Sequence, residues 1–234
     1  MPRLYLRGKM SVTVSVLKDV TDANTLLADE LRRRFRQNNV LVLDIVASPG
    51  AGKTTLLEQT IARLNGELRL CVIEGDPATS IDADRISAVG VPAVQINTDG
   101  GCHLEASMVQ TALRQLDMAR ADVVIIENVG NLLCPTGWDL GEDAKVLVAS
   151  LVEGDDKPLK YPMSFASAQA VVINKIDLEP YTPAKVARLR ENALLINPAL
   201  DVFEVSCLSG AGLDAWLDWI RARLAGKRAE TAGA

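Results

Sequence analysis

Apolar and polar positions alternate along the chain in two registers, and the switches between them mark the elements. Seven short apolar runs read as strands: Val40–Val46, Arg69–Ile73, Ala93–Ile96, Asp122–Ile126, Val146–Ala149, Ala170–Ile173 and Val202–Val205. Several are apolar at every position, as strands covered on both faces must be. Between most of them the spacing changes to that of an amphipathic helix, at residues 55–64, 80–89, 104–119, 183–196 and 213–224. A further helix precedes the first strand, capped near Thr21 to Asn24 and carrying Leu26, Leu27, Leu31 and Phe35. Strand-helix alternation implies right-handed crossovers, so the fold class is α/β: a doubly wound, mostly parallel seven-stranded sheet with helices on both faces. Ligands of such folds gather beyond the carboxyl ends of the strands.

The segment after the first run is the most informative. Ala47-Ser-Pro-Gly-Ala-Gly-Lys-Thr54 lies between a strand and a helix, with one methyl group separating it from the strict P-loop pattern. In such a turn Ser48, Gly50, Ala51 and Gly52 line the phosphates with backbone N–H groups, Lys53 brings a cation, and Thr54 and Thr55 open the helix. Thr54 is the hydroxyl for Mg²⁺. Asp76, ending the second strand, is the best carboxylate for that ion, and Glu127, ending the fourth, reaches it directly or through water. Lys53, Asp76 and Glu127 are therefore the catalytic candidates. Gly130 follows Glu127 in the segment that senses the terminal phosphate.

Base choice is read about 120 residues beyond the P-loop, at Asn174-Lys-Ile-Asp177. The Asp177 carboxylate accepts from the ring N–H and exocyclic amine of guanine, a donor pair adenine lacks, while the Lys175 stem covers the ring. Ser206-Cys207-Leu208 resembles the Ser-Ala-Lys turn that completes a guanine pocket. GTP and GDP are the expected nucleotides. Asp82, Asp84 and Arg85 read as an ordinary helical charge face or as part of a nucleotide-sensing segment.

The single histidine, His103, follows Cys102 in a Gly-Gly-Cys-His turn, and Cys134 lies just beyond Gly130. Two thiolates and an imidazole suit Ni²⁺ or Zn²⁺. Were the strands at Ala93 and Asp122 neighbours, their carboxyl ends would bring Cys102, His103 and Cys134 together. Cys71 reads as a packed thiol, and Cys207 as neither ligand nor nucleophile.

At 234 residues and 48% hydrophobic, the chain suits one GTPase domain over 20–225, after an N-terminal extension over 1–19 and before a frayed tail over 226–234. A net charge of −5 excludes a general nucleic-acid surface. No run approaches a membrane span or a signal peptide, and four unevenly spaced cysteines are no disulfide framework, which together predict a cytoplasmic protein with reduced thiols.

Together, Ser48 to Thr55, Glu74-Gly-Asp76, Asp82-Ala-Asp-Arg85, Gly101-Cys-His-Leu-Glu105, Glu127 to Pro135, Glu153-Gly-Asp-Asp156 and Asn174 to Asp177 resemble the HypB family of hydrogenase nickel-incorporation GTPases, of the SIMIBI class. The resemblance spans roughly Val20 to Leu224. It implies slow, Mg²⁺-dependent GTP hydrolysis, a homodimer promoted by GTP, and nickel delivery to a [NiFe]-hydrogenase large-subunit precursor alongside a HypA-like accessory protein. It also implies that Cys102, His103 and Cys134 ligate the metal at the dimer interface. Residues 1–40 contain none of the Cys and His that many members carry there. The urease accessory GTPase UreG is the nearest alternative, but its Cys-Pro-His motif is not met by Cys134-Pro135-Thr136. A small-molecule kinase would have no use for Asn174 to Asp177, and a metal scaffold with a vestigial nucleotide site would bind metal identically with GDP and GTP.

Overall fold

A computed structural model describes residues 16–76 and 90–233, with side chains from residue 20 onward. The expected helix at 80–89, with Asp82, Asp84 and Arg85, lies outside the described residues, as do residues 1–15.

The elements are α1 (Val16–Gln37), β1 (Leu41–Ala47), α2 (Lys53–Leu64), β2 (Leu70–Asp76), β3 (Ala93–Asn97), α3 (Ala106–Ala112), β4 (Val123–Glu127), β5 (Ala144–Ser150), α4 (Lys157–Lys160), α5 (Pro162–Ser167), β6 (Ala170–Asn174), α6 (Val186–Ile196), β7 (Asp201–Glu204) and α7 (Leu213–Ala232). All seven strands pair in parallel, in the order β3-β2-β4-β1-β5-β6-β7. The chain steps to one side of β1, returns beside it as β4, and continues on the other side. β1 is consequently buried along its whole length, and its carboxyl end opens at the point of reversal.

Alternate residues of each central strand serve opposite faces. Leu41, Leu43 and Ile45 pack with Leu56, Ile61, Trp216 and Ile220 of α2 and α7, whereas Val40 and Val42 meet Leu31, Phe35 and Val109 of α1 and α3. A third cluster joins β5 and β6 to Phe165 and Leu189.

Four expectations are corrected. The first helix begins at Val16, so Thr21 to Asn24 lie inside it and do not cap it, and the Asn24 side chain instead accepts from the Ala106 N–H at 2.8 Å. The helix expected at 104–119 stops at Ala112, and the chain turns into a short 3₁₀ turn at Met118–Arg120. Leu113, Leu116 and Met118 all join the α1-side cluster. A continuous helix would carry Met118 about 200° around from Leu116, toward solvent, and the extended ψ of 86° at Asp117 avoids this. Conversely, α7 continues beyond Gly226 to Ala232 where fraying was expected, because Lys227 Nζ reaches Asp143 at 2.5 Å and Arg228 reaches Asp122 at 2.5 Å. Finally, β3 and β4 are not neighbours, since β2 lies between them.

Asp122 anchors this lower edge: it accepts from the Arg69 backbone N–H at 2.8 Å, from Arg69 Nε at 2.9 Å and Nη2 at 2.7 Å, and from Arg228. The Arg69 side-chain bonds, ahead of the others, hold its carboxyl well below the usual carboxylate range despite the opposing cost of burial. A depressed folded-state pKa contributes stability above the unfolded value, lost as pH falls through the folded one. Asp122→Asn should therefore lower stability by about 2 kcal/mol at pH 7, and the deficit should shrink below about pH 3.9. Urea unfolding of both proteins at pH 7 and pH 3 measures this; a deficit equal at both values would contradict it.

Candidate functional site

β1 ends in a turn that leads into α2 through Gly52, which holds φ at +100°. That conformation suits glycine, and a Cβ there would also collide with the Asn174 carboxamide. The first turn of α2 has no side-chain cap and no acidic residue. Its N–H groups and the positive end of its dipole are directed into a cavity of about 500 Å³. Gly50, Gly52, Lys53, Thr54 and Thr55 line it on one side, Glu74, Asp76 and Glu127 on another, and Gly130 and Lys175 close it. A second cavity, of about 520 Å³, opens at the other end of the sheet beside Leu70 and shares no residue with the P-loop.

Lys53 reaches Gly130: its Nζ lies 3.7 Å from where a Cβ on that glycine would sit. Thr54 Oγ1 donates to Glu127 Oε1 at 2.7 Å. Donating its proton there leaves the hydroxyl oxygen's lone pairs for a cation, and with the Asp76 and Glu127 carboxylates the cavity offers hard oxygen donors of the kind Mg²⁺ takes. Glu74, which has no role of its own in the sequence reading of Glu74-Gly-Asp76, stands directly across from Glu127 in the β2–β4 register, and both are buried. Ser48 accepts from Lys157 Nζ at 2.6 Å, and Lys157 also pairs with Glu153 at 2.5 Å, which explains the Glu153-Gly-Asp-Asp156 block as a support for the P-loop. Ala51 is fully buried and passes its carbonyl to Asn174 Nδ2 at 3.0 Å.

The proposed guanine residues form one assembly. Asn174 Oδ1 accepts from the N–H groups of Lys175 at 2.8 Å and Cys207 at 3.3 Å. Lys175 takes a left-handed conformation, φ +63°, and its Nζ donates to the Gly50 carbonyl at 2.8 Å. Its stem thus bridges the cavity edge and the Asp177 loop. Asp177 lies in the first turn of the 3₁₀ segment Ile176–Tyr181 and is half-buried, while the Ser206 side chain is buried and accepts from Ser209 N–H at 3.2 Å. Cys207 is buried, and that burial pushes its thiol up to about 11, so it holds its proton. Asp177, Ser206 and Cys207 do not line the phosphate cavity, whereas Lys175 does.

Cys102, His103 and Cys134 converge. Their ligand atoms all lie within 4.8 Å of one another, and theirs is the single such group among the described residues. Sulfurs sharing a tetrahedral ion stand about 3.8 Å apart, a separation on the scale of this group. The loop after β3 reaches this point by crossing the end of β2: Leu104 nests on Gly75, where a Cβ would lie 2.8 Å from its Cγ. The glycine in Glu74-Gly-Asp76 thereby lets β2 intervene without separating the ligands. Cys102 Sγ lies 3.5 Å from His103 Nδ1, and the imidazole stacks on Trp138 at 4.4 Å between centroids. Burial holds the His103 pKa below its ordinary value, with Glu105 opposing, which favours the neutral, ligating ring. The Cys102 thiol is raised, chiefly by its hydrogen bond with Cys134, so metal entry must displace protons. Cys71 is buried in β2, away from this group, and its thiol is raised by burial.

Sequence reasoning assigns no role to Trp138, Asp44, Asn128 or Lys145. A lone Asp at position 44 within an otherwise apolar run was the available signal, since a charge at the centre of a covered strand requires a buried partner.

Residues 41–204 match the family described as CobW/HypB/UreG, nucleotide-binding domain. The hydrogenase maturation factor HypB of Escherichia coli K12 is 48% identical over 202 residues, covering 86% of this chain and 70% of the relative. The crystal structure of HypB from Archaeoglobus fulgidus superposes with a TM-score of 0.82 at 36% identity, covering 87% of this chain and 99% of that one. The structure of HypB from Helicobacter pylori in complex with nickel also superposes at 0.82, with 38% identity over 89% of this chain and 97% of that one.

Proposed function

This chain belongs to the CobW/HypB/UreG family, with relatives named HypB, and we propose that it is a GTP-hydrolysing metallochaperone that carries nickel for [NiFe]-hydrogenase maturation. The observation that carries this reading is the meeting of Cys102, His103 and Cys134 beyond the strand ends that also form the phosphate cavity. The segment from Glu127 to Cys134 borders both.

In this reading the N–H groups of Gly50, Ala51 and Gly52 and the Lys53 ammonium hold the β- and γ-phosphates, and Lys53 balances charge gathered in phosphoryl transfer. Thr54 and Asp76 hold Mg²⁺, with Glu127 fixing the Thr54 hydroxyl and orienting the metal's environment. Bound there, Mg²⁺ would neutralise phosphate charge and polarise the terminal phosphoryl group. Loss of the γ-phosphate frees Gly130 and shifts the following residues, so Cys134 moves relative to Cys102 and His103 and nucleotide state biases metal affinity. Nickel is cargo: two sulfurs and one nitrogen leave a coordination position open for release or for a donor from a second subunit. Zn²⁺ satisfies the same donors. GTP-promoted dimerisation, a HypA-like partner and a hydrogenase large-subunit precursor as client follow from the family resemblance. No described helix is long and apolar enough to cross a membrane.

Guanine selection tests the nucleotide half. Asp177→Asn replaces one acceptor with a donor facing the donors of guanine. It should lower the GTP-over-ATP preference in kcat/KM by at least about 100-fold, because unpaired groups in a polar subsite are costly. Unchanged preference would remove Asp177 from base recognition.

A further inference from the structure

Lys145 is a buried lysine in β5, paired at 2.6 Å with the fully buried Asp44 of β1, its direct neighbour in the strand register. Glu142 lies 3.2 Å from the same ammonium, which also donates to the carbonyls of Pro135 at 3.1 Å and Trp138 at 3.2 Å. It thus holds both ends of the turn that begins with Cys134 and finishes with the ring stacked on His103. The other oxygen of Asp44 accepts from Asn128 Nδ2 at 3.0 Å. Asn128, itself 1% exposed, accepts at Oδ1 from Leu104 N–H at 3.1 Å and from Val129 N–H at 3.0 Å. Leu104 follows His103, and Val129 leads to Gly130 beside Lys53.

One connected polar network therefore begins next to the phosphate cavity and ends on both loops that carry the metal ligands. We propose that Asn128, Asp44 and Lys145 are positioning residues that transmit nucleotide state to the metal site, Asn128 moving the Cys102–His103 loop through Leu104 and Lys145 holding the Cys134–Trp138 turn. This rests on the reading in which nucleotide state biases metal affinity. The physical basis is that buried polar groups cannot be left unpaired. A shift at Val129 and Gly130 must carry Asn128 with it or break its bonds, and either outcome displaces the backbone beside His103. The Asp44–Lys145 pair is enclosed among strands at the centre of the sheet, so it acts as the fixed point against which the two loops move.

The test compares Ni²⁺ affinity, read by competition with a chelator and by thiolate-to-nickel absorbance, in the GDP form and with a non-hydrolysable GTP analogue. The parent protein, Asn128→Ala and the triple variant Asp44→Asn with Glu142→Gln and Lys145→Met are compared. The triple variant removes the ammonium together with both carboxylates that face it, leaving no lone buried charge, and so serves if Asn128→Ala fails to fold by thermal melting. The affinity ratio between nucleotide states should fall to within about twofold of unity in the variants, whereas coupled sites typically differ by roughly 5- to 150-fold. A merely structural role would lower affinity in both states and leave the ratio standing. A parent ratio retained in full by the folded variants overturns this relay alone, and a parent ratio of unity overturns the coupling as well.

Discussion

Lys53→Ala is expected to lose GTP hydrolysis by at least about 100-fold, the scale seen when one preorganised electrostatic donor is removed, with an unfolding midpoint close to that of the parent. Lys53 opens α2 and brings a positive charge into the phosphate cavity opposite Gly130. Phosphoryl transfer leaves little covalent chemistry to a protein, so positioning and charge compensation make up most of the rate. The backbone donors of Gly50, Ala51 and Gly52 remain in the variant, and nucleotide binding should weaken less than turnover. The fold should persist because Lys53 is only half-buried and contributes no apolar surface to the core around Leu56 and Ile61. Single-turnover hydrolysis alongside a GDP titration separates the two effects. Turnover within a few-fold of the parent would remove Lys53 from the reaction.

Cys134→Ala should weaken Ni²⁺ and Zn²⁺ binding by more than about 100-fold, beyond the 10- to 100-fold cost of disturbing an outer-shell partner of a ligand. The loss of a thiolate leaves Cys102 and His103 as adjacent ligands from one turn, a pair with little ability to enclose an ion. Cys102→Ala should behave alike, because each removes one of only two sulfurs in the group. Inductively coupled plasma analysis of metal retained after gel filtration, with near-ultraviolet absorbance, reads this directly. Stoichiometric binding in both variants would rule the site out. The GTPase cavity shares no side chain with the trio, so guanine-nucleotide binding should survive in either variant.

Strand positions were legible because β1, β4, β5 and β6 are covered on both faces and their sequences are nearly uniform in apolarity. The P-loop was legible for a different reason: its glycines and Lys-Thr meet local backbone and phosphate demands that do not depend on distant contacts. The guanine loop is similarly local, though Asn174 also reaches across to Ala51. Strand order is a different matter. Position along the chain does not say that β2 inserts between β3 and β4, and the placement of Cys102 depended on Leu104 crossing Gly75. The short helices α4 and α5 escaped notice because four and six residues are too few to show a helical period. Helix α7 outlasted its apolar pattern because Lys227 and Arg228, within the stretch read as a frayed tail, find acidic partners at Asp143 and Asp122. The most consequential omission was Asp44 with Lys145, a pairing made by neighbouring strands about 100 residues apart in sequence.

Calorimetric titration of Ni²⁺ into the nucleotide-free, GDP-bound and GTP-analogue-bound protein, with oligomeric state recorded in parallel, decides whether one machine joins the two sites. One ion per chain at the Cys102, His103 and Cys134 group, with an affinity that changes between GDP and the GTP analogue, is the expected result. Equal affinity in both nucleotide states would contradict it, leaving a GTPase and a metal site that share a fold without controlling each other.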